Sequence, residues 1–189
     1  MRIIGGKLKG KKISFTKSLI TRPLKDSVKE SIFNVLAHST KVNVRVENSK
    51  VLDLYSGVGS FGFECISRGA QKVTFVESNK STFQILASNV RRLNISDKVK
   101  AFNLKIENML KMEDKQKYNI FFFDPPFLDD NYLNSLLLIK ERKNFELKHL
   151  IIIHRERKSK DIFNNCLKIL MTKEYGRSKI FFGTFNLEN

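Results

Sequence analysis

Val51-Leu52-Asp53-Leu54-Tyr55-Ser56-Gly57-Val58-Gly59-Ser60 sets a short apolar run against a loop carrying two glycines. A continuous apolar run of this length, ended by turn residues, reads as a strand covered on both faces. The spacing predicts a strand over residues 51–55 and a helix over 60–68, stopped by Gly69. Downstream the same alternation continues. Strands are predicted over 72–76, 99–104, 119–123 and 150–153. Helices are predicted over about 80–93, with Phe83, Leu86, Val90 and Leu93 inward, and over about 131–139. A further helix is marked by Ile162, Phe163, Cys166, Leu167 and Leu170. Strands separated by helices form a parallel, doubly wound α/β sheet. The chain closes differently, with strand pieces at 174–176 and 178–185 around Gly176-Arg177, which predicts an antiparallel hairpin at one sheet edge.

Ahead of this domain, expected to span 46–189, lies an extension over 1–45. Arg2-Ile3-Ile4-Gly5-Gly6 and Lys11-Lys12-Ile13-Ser14-Phe15 read as a small β-hairpin. A helix follows over 27–37, with Val28, Ile32, Val35 and Leu36 on one stripe and Ser27 with Glu30 in the pattern of a capping box. Residues 38–50 connect the two parts.

Composition narrows the class. Lys and Arg total 35 against 19 acidic residues, a net charge of +16, and the first 25 residues hold eight cations and no acid. Such segregation favours a polyanionic partner, because each phosphate contacted releases counterions. The apolar runs are too short to span a bilayer, and the basic opening is followed by no apolar leader segment. The expected setting is the cytoplasm, with no membrane partner. Cys65 and Cys166 both fall on apolar helix positions and are expected to be buried small hydrophobes, not a disulfide or metal ligands. No metal-ligand spacing occurs elsewhere, and nothing calls for an oligomer, so a metal-free monomer is expected.

In an open α/β sheet the ligand sits beyond the carboxyl ends of the strands. The loop after the first strand offers glycines that admit a ligand to the backbone, followed by the free N–H groups of a helix start. Glu77 closes the next strand, where a carboxylate can accept bonds from ribose hydroxyls. The pattern Asp-x-x-x-Gly-x-Gly leaves less room for a pyrophosphate than a dinucleotide fingerprint does. Asp53 would repel a phosphate but suits the ammonium group of a methionine moiety. These features favour S-adenosylmethionine over a nicotinamide dinucleotide.

Asp124-Pro125-Pro126-Phe127 follows the apolar strand over 119–123. Two prolines cannot continue a sheet ladder and hold a rigid extended loop. Asp124 offers carboxylate oxygens, Pro125 a carbonyl oxygen and Phe127 an aromatic face. An exocyclic base amine is a poor nucleophile, because its lone pair is delocalised into the ring. Two acceptors on its N–H bonds direct that lone pair at a methyl donor, Phe127 stacks on the base, and Asp124 takes a proton. His38, His149 and His154 lie apart from these motifs and are expected to be structural or solvated.

Nearly the whole chain resembles the RsmD family, bacterial methyltransferases acting on a guanine N2 of small-subunit ribosomal RNA. The resemblance rests on Met1-Arg2-Ile3-Ile4-Gly5-Gly6-Lys7-Leu8-Lys9-Gly10, on Arg22-Pro23 ahead of Ser31-Ile32-Phe33-Asn34-Val35-Leu36, on residues 51–57 with Ser67-Arg68-Gly69-Ala70, on Phe75-Val76-Glu77, and on residues 124–127. It implies a Rossmann-like class I methyltransferase fold. It also implies S-adenosylmethionine held around Asp53, Tyr55, Ser56, Gly57, Gly59, Phe61, Glu77, Ser78, Ile106 and Asp124, and a target base at residues 124–127. RNA contacts are implied at Arg2, Lys7, Lys9, Lys11, Lys12 and Arg22, with ribosomal RNA or an assembling small subunit as partner. The chain departs from the family at Leu24, where Thr is usual, and at Lys105, where Asp or Asn is usual; the backbone of Ile106 is expected to serve the adenine instead. An adenine-N6 methyltransferase would grip its amine with the same tetrapeptide. A glutamine methyltransferase would carry Asn at Asp124. A ribosome-assembly module without catalysis would not need the intact motif, and a nicotinamide oxidoreductase would need an acid–base set that is not evident here.

Overall fold

The computed structural model describes residues 1–15, 24–112, 116–126, 129–163 and 166–187. In chain order its elements are α1 (Asp26–His38), β1 (Lys50–Leu54), α2 (Ser60–Ser67), β2 (Lys72–Val76), α3 (Lys80–Leu93), β3 (Val99–Phe102), α4 (Ile106–Lys111), β4 (Tyr118–Phe123), α5 (Tyr132–Arg142), β5 (Phe145–Glu156), β6 (Leu167–Tyr175) and β7 (Ser178–Phe185). The strands form one sheet in the order β3-β2-β1-β4-β5-β7-β6. β1 to β5 run parallel, and β7 lies antiparallel between β5 and β6. The chain winds outward from β1 to β3 and returns at β4, so the order reverses between β1 and β4. A crevice opens there, beyond the strand ends.

Alternation along the central strands divides the core in two. Val51, Ile120, Phe122, Leu150 and Ile152 face α1, α2 and α3, while Leu52, Leu54, Phe121, Phe123, Ile151 and Ile153 face α4 and α5. Burial on both faces accounts for the unbroken apolar runs of β4 and β5. Among the described residues no helix is long and apolar enough to cross a membrane.

The amino-terminal segment is clasped to α1 and α2. Its hairpin is reduced to one antiparallel bridge, Arg2 with Lys12, supported by the Ile3 N–H on the Lys11 carbonyl and the Ile13 N–H on the Met1 carbonyl. Ile3 and Ile13 enter the core on the α1–α2 side. Beneath them Lys29, fully buried, donates to the Arg2 carbonyl at 2.8 Å and lies 4.0 Å from the buried Glu64, which accepts the Ile4 N–H and the Arg68 Nε. Breaking such a buried pair by removing one partner costs roughly 3–5 kcal/mol. At Gly6, φ is +73° and a β-carbon would overlap the Ser67 carbonyl oxygen, which accepts the Lys7 N–H at 2.7 Å. Gly6 thus permits a close backbone approach.

Several expectations need correction. The helix expected around residues 162–170 is not found among the described residues: 161–163 carry no regular structure, Cys166 sits in a turn, and β6 begins at Leu167. The apolar spacing there satisfies a helix as well as a strand, and pairing with β7 from Leu167 to Tyr175, broken only by a register shift between Ile169 and Met171, decides it. Cys166 is buried as expected but not on a helix, whereas Cys65 is on one. β5 is three times its expected length, because its polar flanks extend the ladder; Tyr118 pairs with Phe145, and Glu156 with Ser178. α1 has Lys25 at its N-cap with no side-chain cap, so the Ser27–Glu30 capping box is not formed. Phe83 is only half-buried, and Thr82 and Asn89 take inward positions on α3. The short α4 was not anticipated.

Candidate active site

The residues singled out after β1, β2 and β4 meet at the carboxyl edge of the sheet. Tyr55 takes φ +57°, a left-handed conformation that costs a residue with a side chain on the order of 1–2 kcal/mol. It turns the chain into Ser56, whose N–H and hydroxyl both donate to the Val76 carbonyl. Gly57 follows at φ +55°, and a β-carbon there would meet no atom within 4 Å, so its outer side is open to a ligand. Its N–H donates to Glu77 Oε2 at 2.9 Å, while Glu77 Oε1 accepts the Asn79 N–H at 2.7 Å. Glu77 is thereby fixed at the floor of the crevice. Asn103, which sequence reasoning did not single out, donates to the carbonyls of Glu77 and Ser78 and holds the end of β2.

Asp53 is almost wholly buried, and its Oδ2 accepts the Gly62 N–H, so it caps α2 from β1 where the N-cap Gly59 has no side chain to do so. Burial pushes its carboxyl well above the ordinary carboxylate range; the Gly62 bond lowers it, and the charges of Asp124 and Glu77 raise it further. The negative charges of Asp124 and Glu77 thus bear on Asp53 from across the crevice. Burial likewise pushes the Tyr55 hydroxyl up. The Phe61 ring is engaged in the core, stacked between Phe122 at 4.0 Å and Phe33 at 5.3 Å. Ser78 is exposed, and Ile106, the first residue of α4, is buried.

Asp124 follows β4 with its side chain partly open, and its Oδ1 lies 2.8 Å from His154 Nδ1. His154 Nε2 lies 2.9 Å from the Ser178 hydroxyl. The expectation that His154 is isolated from the motifs is thus corrected. In the parallel ladder Phe123 pairs with Ile153, so the next residue of each strand, Asp124 and His154, falls side by side. His149, by contrast, is structural: its Nδ1 lies on the Glu146 carbonyl and its Nε2 accepts the Phe185 N–H.

A further unanticipated residue is Arg155, which points to the other face of β5. Its Nη1 donates to the carbonyls of Pro126 and Asp129, its Nη2 to Asp130 and its Nε to Asp161, while its plane lies over the Tyr132 ring. The buried guanidinium pins the loop after β4 by its backbone. Burial alone would raise the Asp161 carboxyl, but hydrogen bonds from Ser159, Tyr132 and Arg155, with the Arg155 charge, hold it below its ordinary value. Pro125 is buried and Pro126 exposed; Phe127 lies outside the described residues, as does Arg22. Arg2, Lys7, Lys9, Lys11 and Lys12 are all exposed on the amino-terminal segment. Among the described residues no group of three or more His, Cys, Asp and Glu side chains is placed to hold a metal ion.

A mostly parallel seven-stranded sheet with an antiparallel carboxyl-terminal edge, a glycine loop opened by Asp53 at its switch point and Asp-Pro-Pro after β4 define a Rossmann-like class I methyltransferase. The family described as Conserved hypothetical protein 95 matches residues 1–184, and the chain belongs to this family, the RsmD family. It is 34% identical over 156 residues to Ribosomal RNA small subunit methyltransferase D of Buchnera aphidicola, covering 82% of this chain and 78% of that one. The protein of the same name from Haemophilus influenzae is 33% identical over 159 residues, covering 83% and 79%. In three dimensions the yhhF protein of Escherichia coli superposes with a TM-score of 0.84 at 24% identity, over 100% of this chain and 99% of that one.

Proposed function

We propose that the protein transfers a methyl group from S-adenosylmethionine to the exocyclic N2 amine of a guanine in small-subunit (16S) ribosomal RNA, leaving S-adenosylhomocysteine. The observation that carries this reading is the Asp124 carboxylate, held at the edge of the crevice beside the Gly57–Glu77 cradle.

The residues present fit the cofactor. The carboxyl groups of Glu77 and Asp124, gathered near Asp53 at the crevice, favour a cationic ligand and disfavour a pyrophosphate. Each Glu77 oxygen accepts one backbone N–H and keeps a lone pair for a ribose hydroxyl. Gly57 leaves its outer side open, and in this reading Ser78 and the Ile106 backbone serve the adenine. Bound S-adenosylmethionine supplies an electrophilic methyl group on a sulfonium.

The chain's own residues then act on the acceptor. Asp124 and the Pro125 carbonyl accept the two amine N–H bonds and turn the nitrogen lone pair toward the methyl donor, with Phe127 stacked on the base. As the nitrogen gains the methyl group it becomes positively charged, and Asp124 takes one of its protons. Positioning of this kind supplies much of the rate in a displacement. The amino-terminal segment, residues 1–45, presents Arg2, Lys7, Lys9, Lys11 and Lys12 to RNA phosphates, with Arg22 further along it. The names of the relatives support ribosomal RNA as the acceptor. The protein is read as a cytoplasmic monomer acting on ribosomal RNA or the assembling small subunit.

Labelled methyl transfer tests this reading, with unmodified small ribosomal subunits and duplex DNA offered together. Label confined to the subunit RNA is expected. Label in the DNA, or none in either despite S-adenosylmethionine binding, would overturn it.

A further inference from the structure

We infer that His154 is a positioning residue for Asp124, acting as the middle member of a chain Asp124–His154–Ser178 that fixes which carboxylate oxygen meets the substrate amine. The inference rests on the amine-methylation reading above for its consequence, though not for its geometry.

Three strands each contribute one member. Asp124 follows β4, His154 lies next to it on β5, and Ser178 opens β7 on the far side. Both ring nitrogens of His154 are engaged, Nδ1 with Asp124 Oδ1 at 2.8 Å and Nε2 with Ser178 Oγ at 2.9 Å. The His154 side chain is 10% exposed, whereas that of Asp124 is 22% exposed. One end of the chain is therefore inside the fold and the other reaches the crevice.

The donors follow from the chemistry of each group. An ionised carboxylate only accepts, so Nδ1 carries a proton and donates it to Oδ1. In a neutral imidazole Nε2 is then an acceptor, and the Ser178 hydroxyl donates to it. With Oδ1 anchored to His154 the carboxylate cannot rotate freely, so that Oδ2 is the oxygen turned toward the amine. Arg155, one residue on, holds the carbonyls of Pro126 and Asp129 from the opposite face. The consecutive pair His154-Arg155 thereby fixes both the side chain and the backbone of the loop after β4.

The ring tautomer is the first readout, measured by nitrogen-15 NMR on the full-length protein without RNA. The proton is expected on Nδ1 of His154, and Asp124→Ala should weaken that preference. A bare Nδ1 with the proton on Nε2 would overturn the inference. Turnover is the second readout. An Asn side chain places its N–H near the position of Nδ1, whereas Gln places it near Nε2. His154→Ala and His154→Gln should lose about 10- to 100-fold in kcat with KM for RNA unchanged, the scale of loss when the hydrogen-bonded partner that orients a metal ligand is removed. His154→Asn should recover most of that loss. Equal activity of the Asn and Gln variants, or an unimpaired Ala variant, would also overturn the inference. If Asp124→Ala itself retained turnover, the methylation reading would fail while the tautomer result still stood or fell separately.

Discussion

His149 and His154 lie five positions apart on one strand and carry different burdens. His149 packs between Phe145 and Phe185, with Nδ1 on the Glu146 carbonyl and Nε2 accepting the Phe185 N–H. Burial lowers its pKa from the ordinary value of 6.5, although the backbone bonds work the other way. A lowered folded pKa means that the unfolded chain binds the proton more readily. His149 thus contributes stability that is full above pH 6.5 and is lost as pH falls through the lowered folded value. Protonation would also set a second N–H against that of Phe185. The melting temperature should fall between pH 7.5 and pH 5.5 by more in the wild type than in His149→Gln, read by thermal unfolding at both pH values. Equal falls would remove His149 from the acid sensitivity of the fold. The importance of His154 was hidden from the sequence because it stands thirty residues from Asp124, and only the ladder register between β4 and β5 brings them together.

At the scale of elements, the loop after β4 depends on β5. Arg155 satisfies two loop carbonyls and two carboxylates, one of them the buried Asp161. Lysine is a single point donor and cannot reproduce that fork. Arg155→Lys should lower stability by about 3 kcal/mol, within the range for a broken buried pair, and reduce methyl transfer by at least about tenfold. Thermal unfolding and turnover measure the two effects, and a variant that loses neither would show the loop to be held by other contacts. Among the parallel strands β1, β2 and β4 were legible because each is a largely buried run ended by its own turn residues, as residues 51–57 show. The region after β5 was not. Ile162, Phe163, Cys166 and Leu167 fit a helical stripe, and the strand that replaces it from Leu167 is specified by β7, which lies further along the chain. Within the site, Glu77 and Asp124 were legible from their places at strand ends. Arg155 reads in the sequence as one more cation in a basic run, and its burial follows from acids on α5's approach and the β5–β6 connection.

For the whole molecule, a net charge of +16 is distributed so that the amino-terminal segment carries exposed cations on a well-anchored backbone. Ile3 and Ile13 are in the core, and the Ser14 backbone pairs with Asn89 of α3, so the segment presents its lysines from a fixed support. Lys9→Glu with Lys11→Glu should weaken RNA binding and reduce the slope of log affinity against log salt by about 1.4, if each lysine contacts one phosphate of single-stranded RNA. Titration of RNA binding across salt concentrations measures this, and an unchanged slope would take the segment out of the interface. These lysines, the crevice between β1 and β4, and the Asp124 loop serve one proposed reaction. Nucleoside analysis of small-subunit RNA methylated by the wild type and by Asp124→Ala tests it most directly. N2-methylguanosine made by the wild type, and reduced at least about 100-fold in the folded, cofactor-binding variant, is the predicted result. N6-methyladenosine as the product, or undiminished transfer by Asp124→Ala, would contradict it.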